Sequence, residues 1–223
     1  MMQEFLNLLK ETSAKKNKSN PIYPKDLGWI EKKLTKAELD YVWYCIDNST
    51  KVNTKPKLAG NISASYDLHD EKDLFWRTVV QPLVKDYEES FTTRAGYNVP
   101  VEGNASLNPF MNIWWVNYQN QTEFNPTHDH TGVYSFVIWM KIPTKFEEQR
   151  QLPIANDSNS STISNFVFTY TNILGGITSH AYPMSPEIEG TMVLFPAALS
   201  HQVYPFYNCD GTRISVSGNV SLK

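Results

Sequence analysis

From residue 101 onward the chain is a succession of short apolar runs broken by turn signals, and few folds accommodate that pattern. The runs are 110–118, 132–142, 163–171, 177–183, 191–196, 201–206 and 212–220. β-Branched and aromatic residues fill them, as strands require. Gly175-Gly176 suits a tight turn and Asp210-Gly211 a hairpin turn. Short strands at such spacing predict a sandwich or barrel, and seven or eight antiparallel strands wrapped into two sheets make a jelly roll. The polar stretch 143–161 is longer than a hairpin loop needs and reads as a lid.

The first hundred residues follow a different period. Phe5, Leu6, Leu8 and Leu9 suit a short helix over 1–10. Thr35 with Glu38 three positions later is a capping box, predicting a helix to about residue 46 with Leu39, Val42, Trp43 and Ile46 on its apolar face. Phe75, Val79, Leu83 and Tyr87 line one side of a further helix over about 71–90, with Pro82 as a kink. The expected organisation is a helical extension, 1–100, packed on a β core, 101–223, the two forming one folding unit of a size that buries a substantial core.

Charge and cysteine usage narrow the function. A net charge of −3 gives no general attraction to nucleic acid or to an anionic membrane, and Lys15-Lys16-Asn17-Lys18 reads as a solvated linker. No apolar run approaches the ~20 residues of a membrane span, and the start lacks the basic-then-apolar pattern of a signal peptide. A cytoplasmic protein is expected, with Cys45 and Cys209 as reduced thiols.

Chemistry concentrates around Asn125-Pro126-Thr127-His128-Asp129-His130. In extended backbone His128 and His130 point to one face. A third imidazole, His201, follows the run 191–196. Three histidines from two strand ends, facing into a barrel, ligate a divalent metal and leave positions open. Arg213 and Ser215 also share a face, where a guanidinium forks onto a carboxylate and the hydroxyl adds a donor. His69 and His180 read as ordinary surface or core residues.

Taken together, His128-x-His130, the distal His201 and Arg213-x-Ser215 resemble the Fe(II)- and 2-oxoglutarate-dependent dioxygenases, and within them the prolyl-4-hydroxylase-like proteins, including forms carried by phages. Phe195-Pro196 and Trp139-Met140-Lys141-Ile142-Pro143 fit the same resemblance, which spans about residues 110–220. It implies a double-stranded β-helix that binds Fe(II) and 2-oxoglutarate. It also implies that O2 and a second substrate, a peptide or small molecule, are turned over to a hydroxylated product, succinate and CO2. Arg213 and Ser215 would clamp the far carboxylate of 2-oxoglutarate, Asn117 and Gln119 would add polar contacts to it, and Trp139 would form a pocket wall.

One position departs from the family's pattern. His130 stands where that pattern has a carboxylate, and a three-imidazole site carries one more unit of positive charge. Asp129 is the alternative ligand if a β-bulge turns it inward. Sites of three histidines resemble those of cupin-type thiol dioxygenases, and the extra histidine keeps a rival reading open: a binding or structural jelly-roll protein, for instance a virion component, that retains the fold without turnover.

Overall fold

The computed structural model describes residues 2–4, 28–49, 51–91, 108–160 and 162–223. Of the helix expected over 1–10, only residues 2–4 are described, and they are helical. The basic cluster at 15–18 lies outside the described residues.

Ten strands build two antiparallel sheets. They are β1 (Ile30–Lys33), β2 (Ala64–Asp67), β3 (Pro109–Gln119), β4 (Asn125–His128), β5 (Tyr134–Lys141), β6 (Phe166–Thr171), β7 (Ile177–Tyr182), β8 (Thr191–Pro196), β9 (His201–Val203) and β10 (Arg213–Leu222). The larger sheet has the order β1-β8-β5-β10-β3-β2 and the smaller β4-β9-β6-β7. This is the jelly roll expected from the strand spacing, in the double-stranded β-helix form that the resemblance implies.

Alternation along the strands decides what each face meets. On β10, Val216 and Val220 point outward while Arg213, Ser215, Ser217 and Asn219 line the cavity between the sheets. β5 is buried on both faces from Tyr134 to Met140, which explains its unbroken apolar run. Gly218 in β10 is required by packing: a Cβ there would lie 2.4 Å from Cζ of Phe136. Gly132 takes a φ of +103° against the Val220 carbonyl, where a side chain has no room.

The outer face of the larger sheet is covered by two helices, α1 (Lys36–Asp47) and α2 (Gln81–Phe91). Thr35 accepts from the Glu38 N–H and the Glu38 carboxylate accepts from the Thr35 N–H, so the capping box forms as read. Val42 and Ile46 of α1 pack with Phe75, Val79, Leu83 and Tyr87 on Trp114, Phe136 and Leu194. At about 1.5–3 kcal/mol for each large apolar side chain buried, this layer is a main contributor to stability.

Two differences from the sequence pattern have physical reasons. The helix over 71–90 is three pieces: a 3-10 turn at Glu71–Asp73, a π turn at Trp76–Val80, then α2. Pro82 has no N–H for the i−4 carbonyl, and the ladder widens just before it, Gln81 N–H donating to Trp76 O. The second difference lies in the N-terminal part, where the sequence pattern showed helices alone. It also supplies both edge strands of the larger sheet: β1 pairs with β8 and β2 with β3. The described part of the expected lid, 143–160, carries a short helix, α3 (Phe146–Arg150), whose buried Gln149 bonds to the backbone of Tyr207 on both its amide atoms.

Candidate metal and co-substrate site

Strand pairing brings the histidines together. β4 runs antiparallel to β9 with His128 directly opposite His201. His130 lies past the end of β4, where its backbone N–H donates to Ala197 O at 2.9 Å and fixes the loop to the end of β8. The ring centroids are 4.3 Å apart for His128 and His201, 5.0 Å for His130 and His201, and 5.1 Å for His128 and His130.

The outer ring nitrogens are taken by backbone carbonyls. His128 Nδ1 pairs with Pro126 O at 2.7 Å and His201 Nδ1 with Leu199 O at 2.9 Å. An Nδ1–H donated in this way sets the tautomer and leaves Nε2 as a bare lone pair facing the centre. His130 Nε2 and His201 Nε2 stand 3.2 Å apart, and one ligand atom from each of the three rings falls within 4.8 Å of the others. Two nitrogens bound to one first-row ion at ~2.0–2.1 Å in adjacent positions would be separated by about 3 Å, so the donor set fits such an ion.

Burial pushes the His201 pKa down to about 3 and that of His130 down to about 4, with the neighbouring His128 adding to both shifts. Both rings are therefore neutral near pH 7, the form that ligates a metal. Asp129, the alternative ligand, is exposed and lies outside the grouped ligand atoms. The irregularity in β4 pairing falls between Asn125 and His128, before Asp129 rather than at it.

Arg213 opens β10 and is 3% exposed. Its Nη2 donates to the Ser164 hydroxyl at 2.7 Å and to Ser164 O at 2.9 Å; Nη1 makes long contacts to Gln119 Oε1 at 3.4 Å and Tyr204 O at 3.5 Å. The guanidinium lies 4.9 Å from the Phe206 ring centroid. Its Nε is buried without a partner, and among the described residues no carboxylate pairs with it. Desolvation alone pushes its pKa down to about 9, so the cation persists at neutral pH.

Ser215, Asn117, Gln119 and Trp139 border the same cavity as this group. Ser215 is half-buried on the same face, and Asn117 stands opposite it on β3, with Oδ1 accepting from the Ser65 hydroxyl at 2.6 Å. Gln119 pairs with Arg213 in the ladder and donates to Glu123 O at 2.5 Å. Trp139 is 2% exposed and forms part of the wall. His69 and His180 are exposed and stand apart from the cluster.

Three contributors were not read from the sequence. Ser164 sits at φ +64°, a strained conformation that aims both its carbonyl and its hydroxyl at Arg213. Trp115 and Phe195 flank His130, with ring centroids at 5.9 and 6.5 Å. Period-two alternation with the candidate residues Asn117 and Gln119 could have placed Trp115 on the cavity face; nothing local marks Ser164.

All these groups border one cavity of about 400 Å3, a size typical of small-molecule sites at ~300–1,000 Å3. It is bounded by the three imidazoles and by a buried cation without a carboxylate partner. Such a chamber can hold a metal ion and an anion side by side.

Comparison with known proteins agrees with this arrangement. The profile of a family described as putative 2OG-Fe(II) oxygenase matches residues 113–219. A 2OG-Fe(II) oxygenase family oxidoreductase from Burkholderia pseudomallei superposes with a TM-score of 0.54 at 13% identity, covering 87% of this chain and 85% of its own. The non-heme alpha-ketoglutarate-dependent carbocyclase SnoK from nogalamycin biosynthesis superposes with a TM-score of 0.51 at 8% identity, covering 88% and 80%. No curated protein matches by sequence. At these identities the superpositions carry the fold, while the profile match spans β3 through β10 and every candidate ligand. Residues 113–219 therefore resemble the 2OG-Fe(II) oxygenase family, whose cofactor is Fe(II) and whose co-substrate is 2-oxoglutarate.

Proposed function

We propose that the protein hydroxylates a C–H bond of a second substrate, with succinate and CO2 as co-products, using His128, His130 and His201 to hold Fe(II) and Arg213 to receive 2-oxoglutarate. When bound, Fe(II) activates O2 at the expense of the 2-oxo acid and so supplies the oxidising power. The chain's own residues bind, orient and exclude water. The three rings bring their ligand nitrogens together, with two of the rings held from behind by backbone carbonyls. Ser215, on the same face as Arg213, adds a hydroxyl for the co-substrate, and Asn117 and Gln119 line the adjacent strand. Trp115, Trp139 and Phe195 keep the chamber apolar around the reacting centre.

The observation that carries this reading is Arg213. A buried guanidinium without a carboxylate is costly, and it persists here facing the same cavity as three bare imidazole nitrogens. An incoming carboxylate supplies the missing charge. The reading also distinguishes an oxygenase from a jelly-roll protein that merely binds, since a relic has no need to keep an unpaired cation beside the metal site. A cytoplasmic place of action agrees with the two free thiols, Cys45 and Cys209.

The test is calorimetric titration of 2-oxoglutarate into Mn(II)-loaded protein without oxygen, followed by assay of succinate from the Fe(II)-loaded protein in air. Binding that depends on the metal, together with succinate formation, is expected. Metal binding without 2-oxoglutarate binding or succinate would establish the non-catalytic reading instead.

A further inference from the structure

Only one end of the cavity is accounted for by Arg213. The inner face of the larger sheet is laid out in rows of cross-strand neighbours. Gln119 lies beside Arg213; Asn117 and Trp139 beside Ser215; Trp115 and Val137 beside Ser217; Ile113 and Ser135 beside Asn219. Arg213 and Asn219 thus stand at opposite ends of one stripe, about 20 Å apart at ~3.3 Å per residue.

The two ends differ. Around Arg213 the chamber is closed by Ser164, Tyr204 and Phe206. The imidazoles lie toward the other end, His130 between Trp115 and Phe195, the latter paired with Ser135. There the exposed Asp129 and Thr131 form the rim, and the turn at Gly132 rests on Val220, next to Asn219. A five-carbon dicarboxylate clamped at Arg213 does not reach past the imidazoles to Asn219. This open end is left for the second substrate.

Asn219 is built to recognise it. Asn219 is 8% exposed and Ser135 1%. The Ser135 hydroxyl donates to Asn219 Oδ1 at 2.9 Å and so fixes the oxygen of an amide that borders the cavity, and among the described residues Ser135 is its one side-chain partner. Ser217, on the same face, adds a hydroxyl. Among the described residues, the charged groups lining the cavity besides the histidines and Arg213 are Lys57 and Asp129, both exposed and opposite in sign. Among the described residues, an ionised group pushed in to Asn219 would find no buried counter-charge beside it.

We infer that Asn219, locked by Ser135, donates a hydrogen bond to the primary substrate, and that the part of the substrate lodged there carries a neutral acceptor oxygen, a carbonyl or hydroxyl, rather than a charge. Asn219 touches the substrate; Ser135 is a positioning residue. The inference rests on Arg213 being the co-substrate clamp.

The test uses two matched probes, N-acetylglycine methylamide and N-acetylglycine. Each is added to Mn(II)-loaded, 2-oxoglutarate-saturated protein without oxygen, and paramagnetic broadening of the probe resonances reports occupancy. The neutral amide binds, and the anion binds at least about tenfold more weakly. Asn219→Ala weakens the amide about tenfold while 2-oxoglutarate affinity stays within about twofold. Ser135→Ala, which leaves the amide free to rotate, weakens the neutral probe by less, and it decides the matter alone if Asn219→Ala does not fold. An amide that fails to bind, equal binding of the two probes, or no effect of either substitution overturns the inference. So does a tenfold loss of 2-oxoglutarate affinity in Asn219→Ala, which would make Asn219 a co-substrate contact. Failure of 2-oxoglutarate to bind the parent protein strikes the clamp at Arg213 instead.

Discussion

Replacing Arg213 by methionine should have little effect on the ligand-free fold and a large effect on the co-substrate. In the ligand-free protein the guanidinium gains two short bonds to Ser164, at 2.7 and 2.9 Å, each about 1.5–3 kcal/mol for a charged donor. The Phe206 ring adds up to about 2 kcal/mol, while the contacts at 3.4 and 3.5 Å are too long to add much. Against these stands the desolvation of an ion with no counter-charge, several kcal/mol after relaxation. The two sides nearly cancel, so Arg213→Met, which refills much of the volume, should change unfolding free energy by no more than about 2 kcal/mol. Co-substrate binding has no such offset, because the incoming carboxylate loses the opposite charge proposed to receive it; the expected loss is about 2–5 kcal/mol, at least ~30-fold in Kd. Scanning calorimetry of the ligand-free proteins and titration of 2-oxoglutarate into the Mn(II)-loaded forms measure the two quantities separately. A variant that is about 3 kcal/mol or more less stable yet binds 2-oxoglutarate as tightly as the parent would refute the reasoning and make Arg213 a structural residue.

Further outcomes are expected at other positions. His201→Ala should abolish stoichiometric metal uptake, measured by elemental analysis, with the far-ultraviolet circular dichroism retained. His130→Asp should keep the metal and raise 2-oxoglutarate consumption uncoupled from hydroxylation; loss of the metal would return Asp129 to consideration as a ligand. Thr35→Ala removes the α1 capping box and should cost about 1 kcal/mol, a fall of roughly 2–4 °C in Tm. Gly218→Ala should destabilise by about 1–3 kcal/mol because its Cβ collides with Phe136, and the added change Phe136→Leu should restore part of that loss.

Much of this was legible wherever the cause is local. The α1 cap needs only Thr35 and Glu38, and the cavity face of β10 follows from period-two alternation starting at Arg213. The histidine set was legible for the same reason, although the geometry is not one continuous strand: β4 ends at His128, and it is the backbone bond to Ala197 that brings His130 inward. What escaped is non-local. β1, Ile-Glu-Lys-Lys, is too short and polar to read as a strand, and it forms because Ile30 meets Leu194. Ser164 sits in a left-handed conformation that no residue type announces, and its role appears only once Arg213 is beside it.

The borrowed edges of the larger sheet bear on how the molecule reaches its native state. Both β1 and β2 precede the strands they pair with, and β8, the partner of β1, lies near the opposite end of the chain. During synthesis the segment around Ile30 emerges early and waits for most of the chain before its partner exists. Loop closure over that span precedes any gain from pairing, which places such topologies among the slow folders, on the order of milliseconds to seconds. Until β1 docks, β8 presents an open edge with Met192, Val193 and Leu194 unshielded, a template for pairing between nascent chains. Kinetic competition between this late docking and intermolecular association should therefore set the yield of soluble protein.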